Sequence, residues 1–154
     1  MSREARLRLV KNKLRLLRRR SRRLAVRMFG SYGPDELIAA LRTGGVSAGD
    51  SIMLHSAFDP EHGFLGTSSE VTDAFVAAVG PPGTLLMVSL PYRTSTLEYL
   101  RTLERFDVRR TPSAMGLMSE FFRRRDGVLR SLHPTHPVLA LGRLAEWFVA
   151  GHED

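Results

Sequence analysis

The segment Arg130-Ser131-Leu132-His133-Pro134-Thr135-His136-Pro137 concentrates a guanidinium, two hydroxyls and two imidazoles between two apolar runs. Proline fixes φ and cannot continue a helix, so the segment reads as a stiff loop holding titratable groups between buried elements. Such loops carry binding and catalysis, and structural loops closed by satisfied histidines share the pattern. An imidazole exchanges a proton near neutral pH, while a guanidinium and hydroxyls hold anionic oxygens. The segment therefore suits general-base work or anion binding. Neither histidine has a sequence-adjacent carboxylate to orient it; Asp126 is the nearest acid upstream. For His136, a ring nitrogen donating to a backbone carbonyl is the favoured reading.

Other segments precede and follow it in order. Gly49-Asp50 leads an apolar run to His55-Ser56, Gly80-Pro81-Pro82-Gly83 opens Thr84-Leu85-Leu86-Met87 with Pro91 beyond, and Thr111-Pro112-Ser113 precedes Gly116. Ala140, Gly142 and Ala145 follow the loop. Each is weak alone, but their order and spacing from about Tyr32 onward resemble the aminoglycoside 3-N-acetyltransferase family. The resemblance implies transfer of an acetyl group from acetyl-CoA to an amine of an aminoglycoside or other amino sugar. CoA's phosphates and long arm call for hydroxyls, a cation and polar groups beside an apolar slot, and His55, Ser56, Ser113, Arg130 and Ser131 are the candidates for that job; the resemblance implies that His133 lies beside the CoA site, where its imidazole is the candidate catalytic base.

Ala57 replaces the second hydroxyl that the family carries after His-Ser, and Asp59 to Thr67 is short and idiosyncratic. Family chains are longer, and their Thr-x-x-His-x-x-Glu stretch, expected to hold the catalytic histidine, falls beyond Asp154. The expectation is a fragment or a half-length relative. The alternative function is a non-catalytic CoA-binding or assembly protein tethered by its basic helix.

Composition limits the rest. A chain of 154 residues fits one domain with a sizeable core. Without cysteine, disulfides, thiolate metal sites and a cysteine acyl-enzyme are excluded. No Gly-x-Ser-x-Gly elbow supports an acyl-serine. Five histidines occur, at positions His55, His62, His133, His136 and His152, but their spacing assigns no metal. No apolar run reaches the roughly 20 residues of a membrane span. The expected address is the cytoplasm, with the chain set peripherally against the inner face of the membrane.

That last expectation comes from residues 1–30. The first 28 residues hold twelve Arg and Lys against the lone acid Glu4, more than the whole chain's formal charge of +7, so the remainder is net acidic. Leu7, Val10, Leu14, Leu17, Leu24 and Met28 recur at helical spacing, so the arm reads as a basic amphipathic helix. Its leucines suit docking on a protein surface or, for residues 1–28, attachment to an anionic membrane surface. A transit peptide shares the Arg-rich, acid-poor composition. Nucleic acid is disfavoured as a partner because no aromatic precedes Phe29 and no reading module is present.

Residues 31–154 then read as the N-terminal portion of an acetyltransferase-like α/β domain, a mixed sheet flanked by helices. Pro34 starts a helix ended by Gly44-Gly45, and Ser51 to His55 reads as a strand. Thr67-Ser68-Ser69-Glu70 offers a capping box for a helix bearing Val71, Ala74, Phe75, Ala78 and Val79. Thr84 to Leu90 is an interior strand, and Thr94 to Phe106 has weak helical spacing. Ser113 is expected to cap the helix bearing Met115, Leu117, Met118, Phe121 and Phe122. Arg123-Arg124-Arg125 complements that helix's dipole. Val138 to Leu141 forms another strand, and Arg143 to Val149 begins a last helix.

Overall fold

A computed structural model describes residues 30–59 and 62–153, together with Arg8, Lys13, Leu17, Ser21, Leu24, Val26 and Met28. Contacts divide the chain into two units: Met1–Gly33 with Asp59–Leu65, and Pro34–Phe58 with Gly66–Asp154. The arm thus groups with a segment that composition did not assign to it.

In the first unit the seven described residues before Gly30 are helical, and Leu17, Leu24 and Met28 are solvent-exposed. Leu7, Val10 and Leu14 of the proposed stripe lie outside the described residues. Tyr32 and Phe64 form an isolated parallel bridge, closed by Tyr32 N–H to Gly63 O at 3.0 Å and Leu65 N–H to Tyr32 O at 2.8 Å. Their rings meet edge-on, with centroids 5.7 Å apart.

The second unit alternates helix and strand: α1 (Pro34–Thr43), β1 (Ser51–Leu54), α2 (Ser68–Val79), β2 (Thr84–Val88), α3 (Thr96–Thr102), α4 (Leu117–Arg123), β3 (Leu129–Arg130), β4 (Val138–Gly142) and α5 (Ala145–Val149). The strands form one sheet in the order β1-β2-β4-β3. β1 and β2 are parallel, whereas β4 is antiparallel to both of its neighbours, so the sheet is mixed. Sequence reading gives the long strands closely but misses β3, which ends on Arg130, the first residue of the supposed loop; a two-residue strand has no period to detect.

Alternation along the strands sorts the core. Leu85, Met87 and Leu139 point to one face, where Phe75 and Val76 of α2 and Met118 and Phe122 of α4 pack with Ile52 and Leu54. Leu86 and Ala140 point to the other, under Ala145, Phe148 and Val149 of α5. Burying Leu85, Leu139 and Phe122 contributes roughly 1.5–3 kcal/mol each.

α2 begins as its sequence directs. Thr67 is the N-cap, its hydroxyl accepting from Glu70 N–H, while the Glu70 carboxylate accepts from Thr67 N–H at 2.7 Å. Hydrogen bonds donated to it by the Thr67 N–H and, at 2.9 Å, by the Thr67 hydroxyl hold the Glu70 carboxyl below its ordinary value. α4 departs from expectation: it starts at Leu117 with Gly116 as N-cap and no side-chain cap. Gly116 has φ +122°, a turn that delays the helix until after Ser113 and Met115 have passed. The role of the arginines at the end of α4 is also larger than dipole complementation, because all three reach carboxylates: Arg123 and Arg124 to Glu120, and Arg125 to Asp73.

Candidate functional site

The register decides where the loops emerge. Leu54 pairs with Met87, Val88 with Val138, and Leu139 with Arg130. Chain leaving β1 at His55, β2 at Ser89 and β3 at Ser131, and entering β4 from Pro137, therefore shares one end of the sheet. The carboxyl ends of strands in open α/β sheets are the usual ligand edge. Across it, β1 and β3 stand three strand spacings apart, about 14 Å.

On the β1 side, His55 and Ser56 are exposed and line a cleft of about 300 Å³ with Leu54, Ala57, Met87, Val88, Met115 and Ser119. Ser113 reaches this cleft indirectly. It is buried, and its hydroxyl lies 2.7 Å from that of Ser119, which in turn donates to Gly116 O at 3.3 Å. Ser113 N–H donates to the Glu120 carboxylate at 2.9 Å, so the helix reaches back to Ser113 rather than being capped by it. Hydrogen bonding from Arg123 holds the Glu120 carboxyl at about 2, aided by Ser113 N–H and Arg124 against the opposing effect of burial.

On the β3 side, Arg130 does not present its cation to solvent. Its Nη1 donates to Thr111 O at 2.5 Å and Val108 O at 3.3 Å, its Nη2 donates to Ser89 O at 2.8 Å, and the group lies 4.8 Å over the Phe106 ring. Burial lowers its pKa to about 10. The expected phosphate-binding cation is thus a clamp on three backbone carbonyls, because β3 turns its side chain inward beneath the loop after β2.

Ser131, 1% exposed, closes the next loop. Its N–H donates to Val138 O at 3.0 Å, its Oγ accepts from Val138 N–H at 2.9 Å, and that Oγ also lies 2.9 Å from His152 Nδ1. Within the loop, His133 Nδ1 accepts from His136 N–H at 3.0 Å and from Thr135 N–H at 3.3 Å. Backbone donors demand a lone pair there, which puts the proton of the neutral ring on Nε2. His136 Nδ1 pairs with Thr135 Oγ1 at 2.8 Å instead of with a carbonyl, and its ring stands edge-on to Tyr92.

The strand ends thus gather all the residues chosen from sequence, but divide them between an open cleft and a closed loop. Ser119, Thr135 and His152 join them without having been singled out for this site, since only tertiary contact places them. The His133 ring lies 5.5 Å from that of His136 and 4.8 Å from that of His152. Even so, no group of three or more His, Cys, Asp or Glu among the described residues is arranged to hold a metal ion. Among the same residues no helix is long and apolar enough to cross a membrane.

The sequence model of the aminoglycoside 3-N-acetyltransferase family matches residues 53–154. Aminoglycoside N(3)-acetyltransferase III of Salmonella sp is 32% identical over 126 residues, covering 74% of this chain and 44% of that protein. The protein of that name from Pseudomonas aeruginosa is 29% identical over 129 residues, covering 75% and 47%. The solved binary complex of AAC-IIIb with CoASH superposes with a TM-score of 0.66 at 31% identity, covering 79% of this chain and 50% of that one. AAC-VIa bound to sisomicin gives 0.65 at 31%, covering 80% and 50%. The chain spans about half the length of the relatives it matches.

Proposed function

Because this chain belongs to the aminoglycoside 3-N-acetyltransferase family, we propose that it binds acetyl-CoA across the strand ends and serves acetyl transfer to an amine of an aminoglycoside or another amino sugar. In that reaction the amine lone pair attacks the thioester carbonyl, the new C–N bond forms, the C–S bond breaks, and CoA leaves as its thiol after the amine's proton is taken up.

The observation carrying the reading is that the His55-Ser56 cleft and the His133 loop emerge at one end of one sheet. The separation of about 14 Å between their strands suits a long ligand such as CoA better than a compact one. In this reading Leu54, Met87 and Met115 flank the pantetheine arm, and the His55 ring and Ser56 hydroxyl supply polar partners for its amides or phosphates. Ser113 acts through Ser119. His133 offers Nε2–H to an oxygen of the cosubstrate, such as the carbonyl on which negative charge develops. Arg130 and Ser131 hold the strand ends in register rather than touching the ligand. The likeness to the CoASH complex of AAC-IIIb supports the cosubstrate, and that to AAC-VIa bound to sisomicin supports the acceptor class.

Calorimetric titration with CoA tests this reading. The wild-type chain is expected to bind, Ser56→Phe to lose binding by filling the cleft, and Arg124→Ala, on the exposed end of α4, to retain it. No heat at millimolar CoA sinks the reading. Thiol release from acetyl-CoA in the presence of sisomicin or a simple amino sugar then tests the acceptor.

A further inference from the structure

We propose that His152 is a positioning residue for the β3–β4 loop: it anchors the closing serine of that loop and packs against the His133 ring, so that the chain following α5 sets how His133 is presented. The inference rests on the reading of that loop as part of the CoA site.

His152 follows Gly151, whose φ of +67° turns the chain at the end of α5. The turn brings His152 Nδ1 to 2.9 Å from Ser131 Oγ. That hydroxyl already accepts from Val138 N–H, and Ser131 N–H donates to Val138 O, so Ser131 and Val138 form the neck of the loop. Pulling on His152 therefore pulls on the neck. The same ring lies 4.8 Å from His133, tilted by 43°, on a ring whose Nδ1 is already committed to the amides of His136 and Thr135. A neighbouring ring at van der Waals distance limits how far the His133 ring can turn. Two contacts of different kinds, one polar and one through the ring face, thus converge on the loop from a single side chain. His152 also borders the depression lined by Met53, Leu86, Val138, Trp147 and Phe148, so it links the α5 face of the sheet to the strand-end loop.

The two contacts are separable by substitution. Asparagine places an amide atom where Nδ1 stands and preserves the tether to Ser131 without the ring, whereas alanine removes both. The full chain, labelled at histidine, is followed by carbon–proton correlation of the ring signals at one fixed pH, and CoA affinity is measured by calorimetry for the wild type, His152→Ala and His152→Asn. Both variants are expected to move the His133 ring signals, because the adjacent ring is gone. His152→Ala is expected to weaken CoA about 3- to 10-fold, the usual effect of one hydrogen bond, and His152→Asn to recover most of that loss. Unmoved His133 signals in both variants, or equal affinity loss in Ala and Asn, overturns the proposal. If the alanine variant does not fold, the asparagine variant decides through the same signals. A wild-type chain that binds no CoA removes the proposed function, while the His133 signals still test the placement of His152.

Discussion

The guanidinium of Arg130 donates to the carbonyl of Ser89 at 2.8 Å, reaching past β4 to tie the last residue of β3 to the first residue beyond β2. One side chain thereby fixes the relative height of the two loops that frame the candidate site.

Arg130→Met is expected to destabilise the fold by about 2–3 kcal/mol, since the carbonyls of Ser89, Val108 and Thr111 lose a charged donor in a buried place. Arg130→Lys is expected to recover little, because an ammonium lacks the planar fork that spans separate acceptors. Urea unfolding measures both. A lysine variant as stable as the wild type argues against the clamp.

Stability should fall in acid through Glu120. Its folded-state carboxyl sits at about 2 against an ordinary 4.5, so between those values the unfolded chain binds more protons than the folded one. The stabilisation is complete above about pH 4.5 and is lost as pH drops toward 2. It amounts to about 2 kcal/mol once partial solvent screening is allowed for. Glu120→Gln should flatten that part of the stability profile; an unchanged acid limb would falsify the assignment.

Gly142→Ala should be severely destabilising, by more than about 2 kcal/mol, and should lower soluble yield. Gly142 has φ +124° and pairs with Thr84, and an added Cβ would run into the carbonyl of Gly83. Backbone on the facing strand cannot rotate aside as a side chain would. Thermal unfolding of the alanine variant, set against Gly45→Ala where nothing lies within 4 Å, separates overlap from the strain of positive φ alone.

Thr67→Ala is expected to cost about 1 kcal/mol by removing the N-cap hydroxyl of α2, whose far side carries the main core. Thr67→Ser should restore most of it. Guanidinium unfolding of the three chains decides the matter, and a neutral alanine variant would mean that the Glu70 carboxylate alone satisfies the helix start.

Local chemistry made several elements legible in the residues themselves. Thr67 and Glu70 stand three apart before an apolar face, and that spacing suffices for a capping box wherever the helix lies. Thr84 to Val88 is apolar at nearly every position, the mark of a strand covered on both sides, and it lies inside the sheet. Pro34 and Gly44 bracket α1 for equally local reasons. The chemically suggestive residues were legible too, because a loop holding Arg130, His133 and His136 between apolar runs is unusual in type alone.

What those residues do is decided by direction and register, neither of which has a local signature. Arg130 read as a cation for anionic oxygens, and strand β3 turns it inward, where it donates to three carbonyls from two other segments. Ser113 looked like a cap until Gly116 delayed α4 and left its hydroxyl to Ser119. His152, twenty-one residues from Ser131 in the chain, meets it only because α5 packs on the sheet and the turn at Gly151 aims back toward the strand ends. Residue type and short spacing determine which elements form and which groups are available for chemistry. Which groups face one another depends on strand pairing across the sheet, and that is a long-range property of packing.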